Sequence, residues 1–213
     1  MLSITLIIII LTSIVSFTAL SNQKVTNDLI FYPPAFSQQN QWYRFLSCAL
    51  LHADFFHLLF NMWVLYSFGS MLEENFKLLF GDLGGILYVA LYIISQIICL
   101  IPTYIKHKDD SYYRSLGASG AVSAVLFATI FLFPLAGIGI LFIPVRIPGF
   151  IFGFIYLGVT MYMARKGGDN LNHSAHFWGA ASGIILLLIF CYAFSTFDPV
   201  ENFLTQIKSF AGM

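Results

Sequence analysis

Long apolar stretches that are almost free of charge divide this chain. Of its 213 residues, 59% are hydrophobic and only 9% are charged. A helix needs roughly 17–25 mostly apolar residues to cross a bilayer. Six stretches are of this kind, so the sequence predicts an all-α polytopic membrane protein with six spans. The predicted spans are residues 2–20, 55–72, 84–104, 117–135, 148–164 and 175–194.

The segments outside these stretches differ in character. Residues 21–54 are long, mixed and rich in aromatic side chains, which favour the membrane interface, so we expect this segment to be partly interfacial. Residues 195–213 are predicted to form a short C-terminal tail. A cleaved signal peptide is an alternative for residues 2–20, although no Lys or Arg precedes Lys24 to supply the basic start of such a peptide.

Charge and cysteine content narrow the function classes. The formal net charge is zero, which offers no basic surface for nucleic acid. Cys48, Cys99 and Cys191 lie in or beside apolar runs, and their spacing is not that of a disulfide framework or a metal site. We therefore expect them to pack in the core of one membrane domain, residues 1–213.

Polar residues with catalytic potential occur at the start of three predicted spans. His57 and Asn61 begin the second span, Ser119 the fourth and His176 the sixth. Because successive spans alternate in direction, even-numbered spans enter the membrane from the same face. The four side chains are therefore predicted to lie at a similar shallow depth, and polar groups within apolar spans tend to mark function.

The residue types fit nucleophilic catalysis. A serine is a weak nucleophile until a neighbouring base takes its proton, and His176 can be that base for Ser119. The sixth span contains no Asp or Glu, which favours a Ser-His dyad over a triad. Gly117 and Gly120 allow a tight turn and leave room for a substrate.

A developing oxyanion needs hydrogen-bond donors in the same place. His57 and Asn61 are four residues apart and share one helix face. The backbone N–H at Ser119, at the predicted start of a helix, is a third candidate donor.

The sixth span also carries a small-residue face. His176, Gly179 and Gly183 are spaced i, i+3 and i+7, so they share one side of a helix. Small residues at this spacing let a neighbouring helix approach closely. If that neighbour is the fourth span, packing brings Ser119 to His176.

Each motif alone has a structural interpretation, and other function classes remain to be weighed. A GxSG sequence often packs transmembrane helices, and a single histidine at a helix end is often an interfacial residue. A transporter would show broken helices and charges near mid-membrane, and these spans contain almost none. The occurrence of all three motifs in order, at matching depth, favours a serine hydrolase that works inside a membrane.

Together these motifs resemble those of the rhomboid family of intramembrane serine proteases, in its minimal six-helix bacterial type. His57 and Asn61 match the family's HxxxN, 117–120 its GxSG, and 175–183 its AHxxGxxxG. The resemblance also extends to supporting residues, which are Arg44 in the first loop, the loop histidine His52, and Glu73 at the end of the second span.

Two positions depart from the family's pattern. Many bacterial members have Trp beside the loop arginine, where this chain has Tyr43, with Trp42 one place earlier. Some members have Tyr one turn after the nucleophile, where it stacks on the base, and this chain has Ser123. We expect another ring, Phe177 or Trp178, to position His176. Neither departure removes a catalytic group, so the sequence favours an active enzyme. An inactive rhomboid-like protein that binds membrane clients is the alternative function.

The resemblance implies hydrolysis of a peptide bond in or beside a transmembrane segment of a protein substrate, through an acyl-enzyme and without metal or cofactor. It implies that the fifth span and residues 165–174 act as gate and cap. It also places the chain in the bacterial inner membrane with the site open to the extracytoplasmic side. Charge favours the opposite orientation, because seven Lys and Arg lie on the catalytic side and three on the other.

Overall fold

Helices form most of the described structure. A computed structural model describes residues 2–140, 143–166 and 172–212. The helices are α1 (Ile4–Ser21), α2 (Gln23–Leu29), α3 (Pro34–Gln39), α4 (Arg44–Ser47), α5 (Phe55–Val64), α6 (Ser70–Phe80), α7 (Gly84–His107), α8 (Ser119–Leu132), α9 (Gly149–Lys166), α10 (His173–Phe194) and α11 (Pro199–Phe210). One antiparallel hairpin, β1 (Gly137–Ile140) and β2 (Ile143–Pro148), precedes α9. The predicted all-α class is confirmed.

The second predicted span is longer than expected. Residues 55–72 were predicted, but α5 continues through one π-helical turn at 65–69 into α6 and ends only at Phe80. Gly81, with φ of +56°, then turns the chain into α7. A residue with a side chain rarely adopts this backbone conformation, so glycine permits the reversal.

The fourth predicted span is shorter than expected. Residues 117–135 were predicted, whereas α8 runs from Ser119 to Leu132. Gly117 has a φ of +121°, which is not helical, so the helix cannot begin there. Pro134 follows the last turn and cannot continue the helix. The remaining predicted spans agree with α1, α7, α9 and α10 to within a few residues.

Length and hydropathy identify three membrane-crossing stretches among the described residues. These are Ile4–Ser21, Phe55–His107 and His173–Phe194, and the second contains both α5–α6 and α7. Helix α8 is apolar but, at 14 residues, measures roughly 21 Å, less than the thickness of the hydrocarbon core. The chain is thus a polytopic membrane protein, and the count of six spans stays a prediction.

Helix α8 lies at the centre of the bundle. Twelve of its 14 residues are buried, against α7, α10 and the π-helical turn after α5. Many large apolar side chains on α1, α5, α9 and α10 point outward, as expected where lipid is the solvent. Cys48, Cys99 and Cys191 are all buried, as the sequence predicts.

Two regions predicted as loop or tail contain helices. Residues 21–54 hold α2, α3 and α4. Residues 195–213, predicted as a short tail, contain α11, which is capped by the Asp198 side chain. Phe203 of α11 stacks on Phe131 of α8 with ring centroids 4.8 Å apart. The amphipathic helix is therefore packed against the bundle rather than extended from it.

Arg44 and Glu73 support the fold at some distance from the predicted catalytic motifs. Arg44 is buried and its guanidinium donates to the carbonyls of Asn27 (2.8 Å) and Ile30 (2.7 Å), which ties the interfacial segment together. Glu73 accepts the backbone N–H groups of Ile4 (3.0 Å) and Thr5 (2.8 Å) at the start of α1. A carboxylate is stabilised at a helix N-terminus because the first N–H groups lack helical partners.

Candidate active site

One cavity collects the predicted catalytic residues. Its volume is about 900 Å³, and it is bounded by the first turns of α5, α8 and α10, by the interior of α7 and by residues 112–117. Ser119, His176, His57, Gly117 and Gly120 all line it. The structure therefore brings together the three sequence motifs that lie far apart in the chain.

Ser119 and His176 form a direct hydrogen bond. The distance from Ser119 Oγ to His176 Nε2 is 2.7 Å. Ser119 is the first residue of α8 and His176 lies in the first turn of α10. A base within hydrogen-bond reach of a hydroxyl is the arrangement that activates a serine nucleophile.

Small residues allow the two helices to come this close. A Cβ at Gly179 would collide with the backbone carbonyl of Gly120, and one at Gly183 would collide with the backbone of Ala124. A Cβ at Gly120 would in turn overlap Cys99 of α7. The predicted small-residue face of α10 thus packs on α8 and sets the distance between Ser119 and His176.

The start of α10 is anchored to α7. Asn172 caps the helix, because its Oδ1 accepts the backbone N–H of Ala175 at 3.1 Å. The Asn172 amide also donates to Thr103 Oγ1 at 2.9 Å. This anchor fixes the first turn of α10, which carries His176.

His57 presents a donor to the space beside Ser119. The backbone N–H of Ala53 donates to His57 Nδ1 at 3.4 Å, so the neutral ring carries its proton on Nε2. A Cβ built at Gly117 would lie 3.3 Å from this Nε2 and 3.8 Å from Ser119 Oγ. Only glycine leaves that space between His57 and Ser119 open.

Asn61 lies one turn further along α5. It is buried, and its side-chain amide donates to the His57 carbonyl at 3.0 Å. An amide nitrogen carries two hydrogens, so one remains for another acceptor. The structure places Asn61 behind His57, and its oxyanion role stays a prediction.

His52 packs against His57. The two rings meet edge to face with centroids 4.9 Å apart. Ser16 Oγ donates to the Leu50 carbonyl at 2.7 Å and lies 2.9 Å from His52 Nδ1, which connects α1 to this loop. Burial lowers the pKa of His52 to about 3, so the ring stays neutral. His52 therefore supports His57 without adding charge.

A tyrosine on α9 lies beside the base. The rings of Tyr156 and His176 are stacked, with centroids 6.4 Å apart and planes inclined by 28°. The Tyr156 hydroxyl is 2.8 Å from Ser123 Oγ. The expectation of Phe177 or Trp178 missed this ring, because only the fold brings α9 to His176.

Comparison with known proteins identifies the family of this chain. The family model of the Rhomboid domain matches residues 39–193, well over half of the chain. The chain belongs to the rhomboid family. Its fold class is thereby that of a polytopic membrane rhomboid domain.

Rhomboid relatives are found in bacteria and in mitochondria. The chain is 26% identical over 192 residues to "Rhomboid protease GlpG" of Haemophilus influenzae, which covers 84% of this chain and 88% of that protein. It is 31% identical to "Putative rhomboid protease YdcA" of Bacillus subtilis, over 68% of this chain and 66% of that protein. It is 35% identical to "RHOMBOID-like protein 12, mitochondrial" of Arabidopsis thaliana, over 66% of this chain and 44% of that protein. The chain thus spans less than half of this mitochondrial relative.

The predicted cap falls partly outside the described structure. Residues 165–174 were expected to cover the site, and of these 167–171 lie outside the described residues. The predicted gate, residues 148–164, corresponds to α9. Its role in admitting substrate stays a prediction.

Proposed function

We propose that this rhomboid is an active intramembrane serine endopeptidase. The observation that carries the proposal is the 2.7 Å contact between Ser119 Oγ and His176 Nε2 inside the cavity. The substrates are transmembrane or juxtamembrane segments of other membrane proteins, as the protease-named relatives suggest.

The proposed reaction is acyl transfer in two stages. His176 Nε2 takes the Ser119 proton as Oγ bonds to the scissile carbonyl carbon, and the carbonyl oxygen becomes an oxyanion. His57 Nε2–H, with Asn61 and the Ser119 backbone N–H, stabilises that charge. The oxyanion then collapses, the C–N bond breaks, and His176 protonates the leaving amine. In the second stage His176 takes a proton from water as the water oxygen bonds to the acyl carbon. The ester bond to Oγ then breaks and His176 returns the proton to Ser119, and neither stage requires a metal or cofactor.

The location of this activity is also a proposal. We place the protein in a bacterial cytoplasmic membrane with the cavity open to the extracytoplasmic side. The bacterial relatives support this placement, and the mitochondrial relatives offer a mitochondrial membrane as the alternative. A label attached in the loop after α7 is expected to react from outside sealed cells, and reaction only from the cytoplasm would contradict the orientation.

The decisive test is cleavage of a single-span reporter in liposomes. The purified parent chain is expected to cleave it, and Ser119→Ala and His176→Ala are each expected to lose activity by roughly 10³-fold or more. Fluorophosphonate labelling of Ser119 reports the nucleophile without needing the natural substrate. Ser111→Ala, an exposed serine in the loop after α7, is the matched control and should behave as the parent.

The outcomes separate the candidate functions. Product from the parent and Ser111→Ala alone supports the protease. Labelling of the parent without product means that the reporter is the wrong substrate. The absence of both labelling and product favours the inactive client-binding alternative. Equal product from all variants means that Ser119 is not the nucleophile.

A further inference from the structure

The ring of Tyr156, on α9, stacks on one face of the His176 imidazole. The Tyr156 hydroxyl is 2.8 Å from Ser123 Oγ, one turn after the nucleophile. We propose that Tyr156 is the positioning residue for His176, and that Ser123 orients the tyrosine through their hydrogen bond. This inference rests on the proposed function of Ser119 and His176.

The tyrosine ring is fixed on several sides. Phe127 of α8 lies 5.4 Å from it and Phe152 of α9 lies 6.0 Å from it, between ring centroids. Ser123 is 3% exposed, so its hydroxyl is shielded from lipid and water. A hydrogen bond to a buried hydroxyl is costly to break, because water does not readily replace the lost partner. The ring therefore has a defined orientation toward His176.

Tyr156 acts on the base and not on the substrate. Among the described residues that line the cavity, His176 is included and Tyr156 is not. Nε2 points at Ser119 Oγ only while the imidazole keeps its plane, and a stacked ring restricts rotation of that plane. His173 meets the imidazole edge-on at 5.8 Å and adds a second restraint.

This arrangement links the base to the position of α9. Only Gly149, Gly153 and Thr160 are buried among the 18 residues of α9. The helix is therefore held to the bundle by few side chains, and Tyr156 is one of the polar groups that join it to α8. When α9 moves away from α8, Tyr156 leaves His176, so the base is aligned only while α9 is in place.

The experiment compares Tyr156→Leu, Tyr156→Phe and Ser123→Ala in the full chain. The readouts are kcat and KM on the liposome reporter and the rate of fluorophosphonate labelling. Tyr156→Leu is expected to lower kcat and the labelling rate together by about tenfold to a hundredfold, with KM nearly unchanged. Tyr156→Phe and Ser123→Ala each keep the ring but remove the hydrogen bond that orients it, so each is expected to lower the labelling rate, by less than Tyr156→Leu does. The matched control is Tyr162→Leu, on the same helix and 62% exposed.

A rescue variant keeps the test independent of folding defects. The hydroxyl groups of Ser123 and Tyr156 are adjacent, so a tyrosine introduced by Ser123→Tyr can reach the volume that Tyr156→Leu vacates. The double variant is expected to recover labelling relative to Tyr156→Leu alone. A general loss of folding would not be repaired in this way.

Three results would overturn the inference. They are labelling of Tyr156→Leu at the parent rate, an equal loss in Tyr156→Phe, which retains the ring, and an equal loss in Tyr162→Leu. In all three the parent is still labelled at Ser119, so the proposed function stands. If the parent is not labelled, or Ser119→Ala is labelled equally, the proposed function fails and this inference fails with it.

Discussion

Helices α8 and α9 are neighbours in the chain and have opposite kinds of packing. Twelve of 14 residues are buried in α8, and three of 18 are buried in α9. Both contain glycine, but a Cβ at Gly120 of α8 would overlap Cys99, whereas one at Gly158 of α9 meets nothing within 4 Å.

The close packing of α8 and the sparse packing of α9 serve two different requirements of the site. A nucleophile must be held at hydrogen-bond distance from its base, which the close packing of α8 on α10 provides. A substrate helix must also reach the cavity, and a loosely packed helix can move without disrupting the core. Tyr156 joins these two regions, since it lies on α9 and contacts both Ser123 and His176.

The largest effect is expected where the close packing is broken. Gly179→Leu places a side chain into the backbone carbonyl of Gly120, which cannot move aside as a flexible side chain would. The variant should lose cleavage and labelling almost completely and unfold at lower temperature in detergent. Gly158→Leu, on the exposed face of α9, is the matched control and should keep both. Equal loss in the two variants would remove the contrast between α8 and α9.

A smaller but still large effect is expected at Gly117, beside the space between His57 and Ser119 where we propose that the oxyanion forms. Gly117→Ala adds a methyl group 3.1 Å from His57 Cε1 at a backbone φ of +121°. We expect kcat and the labelling rate to fall by about 10²–10³-fold, comparable to the loss of an oxyanion donor. The strained backbone should cost about 1–3 kcal/mol of stability.

The control for this variant is another exposed glycine. Gly139 lies in the hairpin before α9, and a Cβ there meets nothing within 4 Å. Gly139→Ala should therefore behave as the parent in both assays. If Gly117→Ala retained the parent kcat, the space between His57 and Ser119 would not be where the oxyanion forms.

The sequence predicts much of the site because its motifs are local. His57, Ser119 and His176 each begin an apolar stretch, and the alternation of spans is enough to place them on one face. The close approach of a neighbouring helix to α10 also follows from a local pattern, since Gly179 and Gly183 share a face with His176. What sequence reasoning could not supply is which helix lies beside that face, because this depends on the whole bundle.

The missed features have different physical reasons. Tyr156 is 33 positions from Ser123, and no local pattern pairs them. The hairpin lies in a short apolar run, where periodicity does not separate a strand from the end of a helix. Helix α11 was detectable, since Asp198 and Pro199 are a typical N-cap and first residue. Its apolar residues recur at helical spacing, but the stretch is too polar to resemble a membrane span.

The smallest effect is expected where α11 meets the end of α8. The side-chain amides of Asn202 (2.9 Å) and Gln206 (3.0 Å) both donate to the Leu132 carbonyl, one of the last carbonyls of α8 and without a partner inside the helix. Asn202→Ala or Gln206→Ala alone should lower the free energy of unfolding by about 0.5 kcal/mol, because the other amide remains.

The double variant tests whether α11 contributes to the rigidity of α8. With both amides removed the carbonyl is unsatisfied, so the loss should exceed the sum of the single losses and reach about 1–2 kcal/mol. Denaturant titration in detergent measures it, and Thr205→Ala, exposed on the same helix, is the control. An additive result would mean that each amide acts separately. The rigidity of α8 would then come from its packing on α7 and α10 rather than from the hydrogen bonds at its C-terminal end.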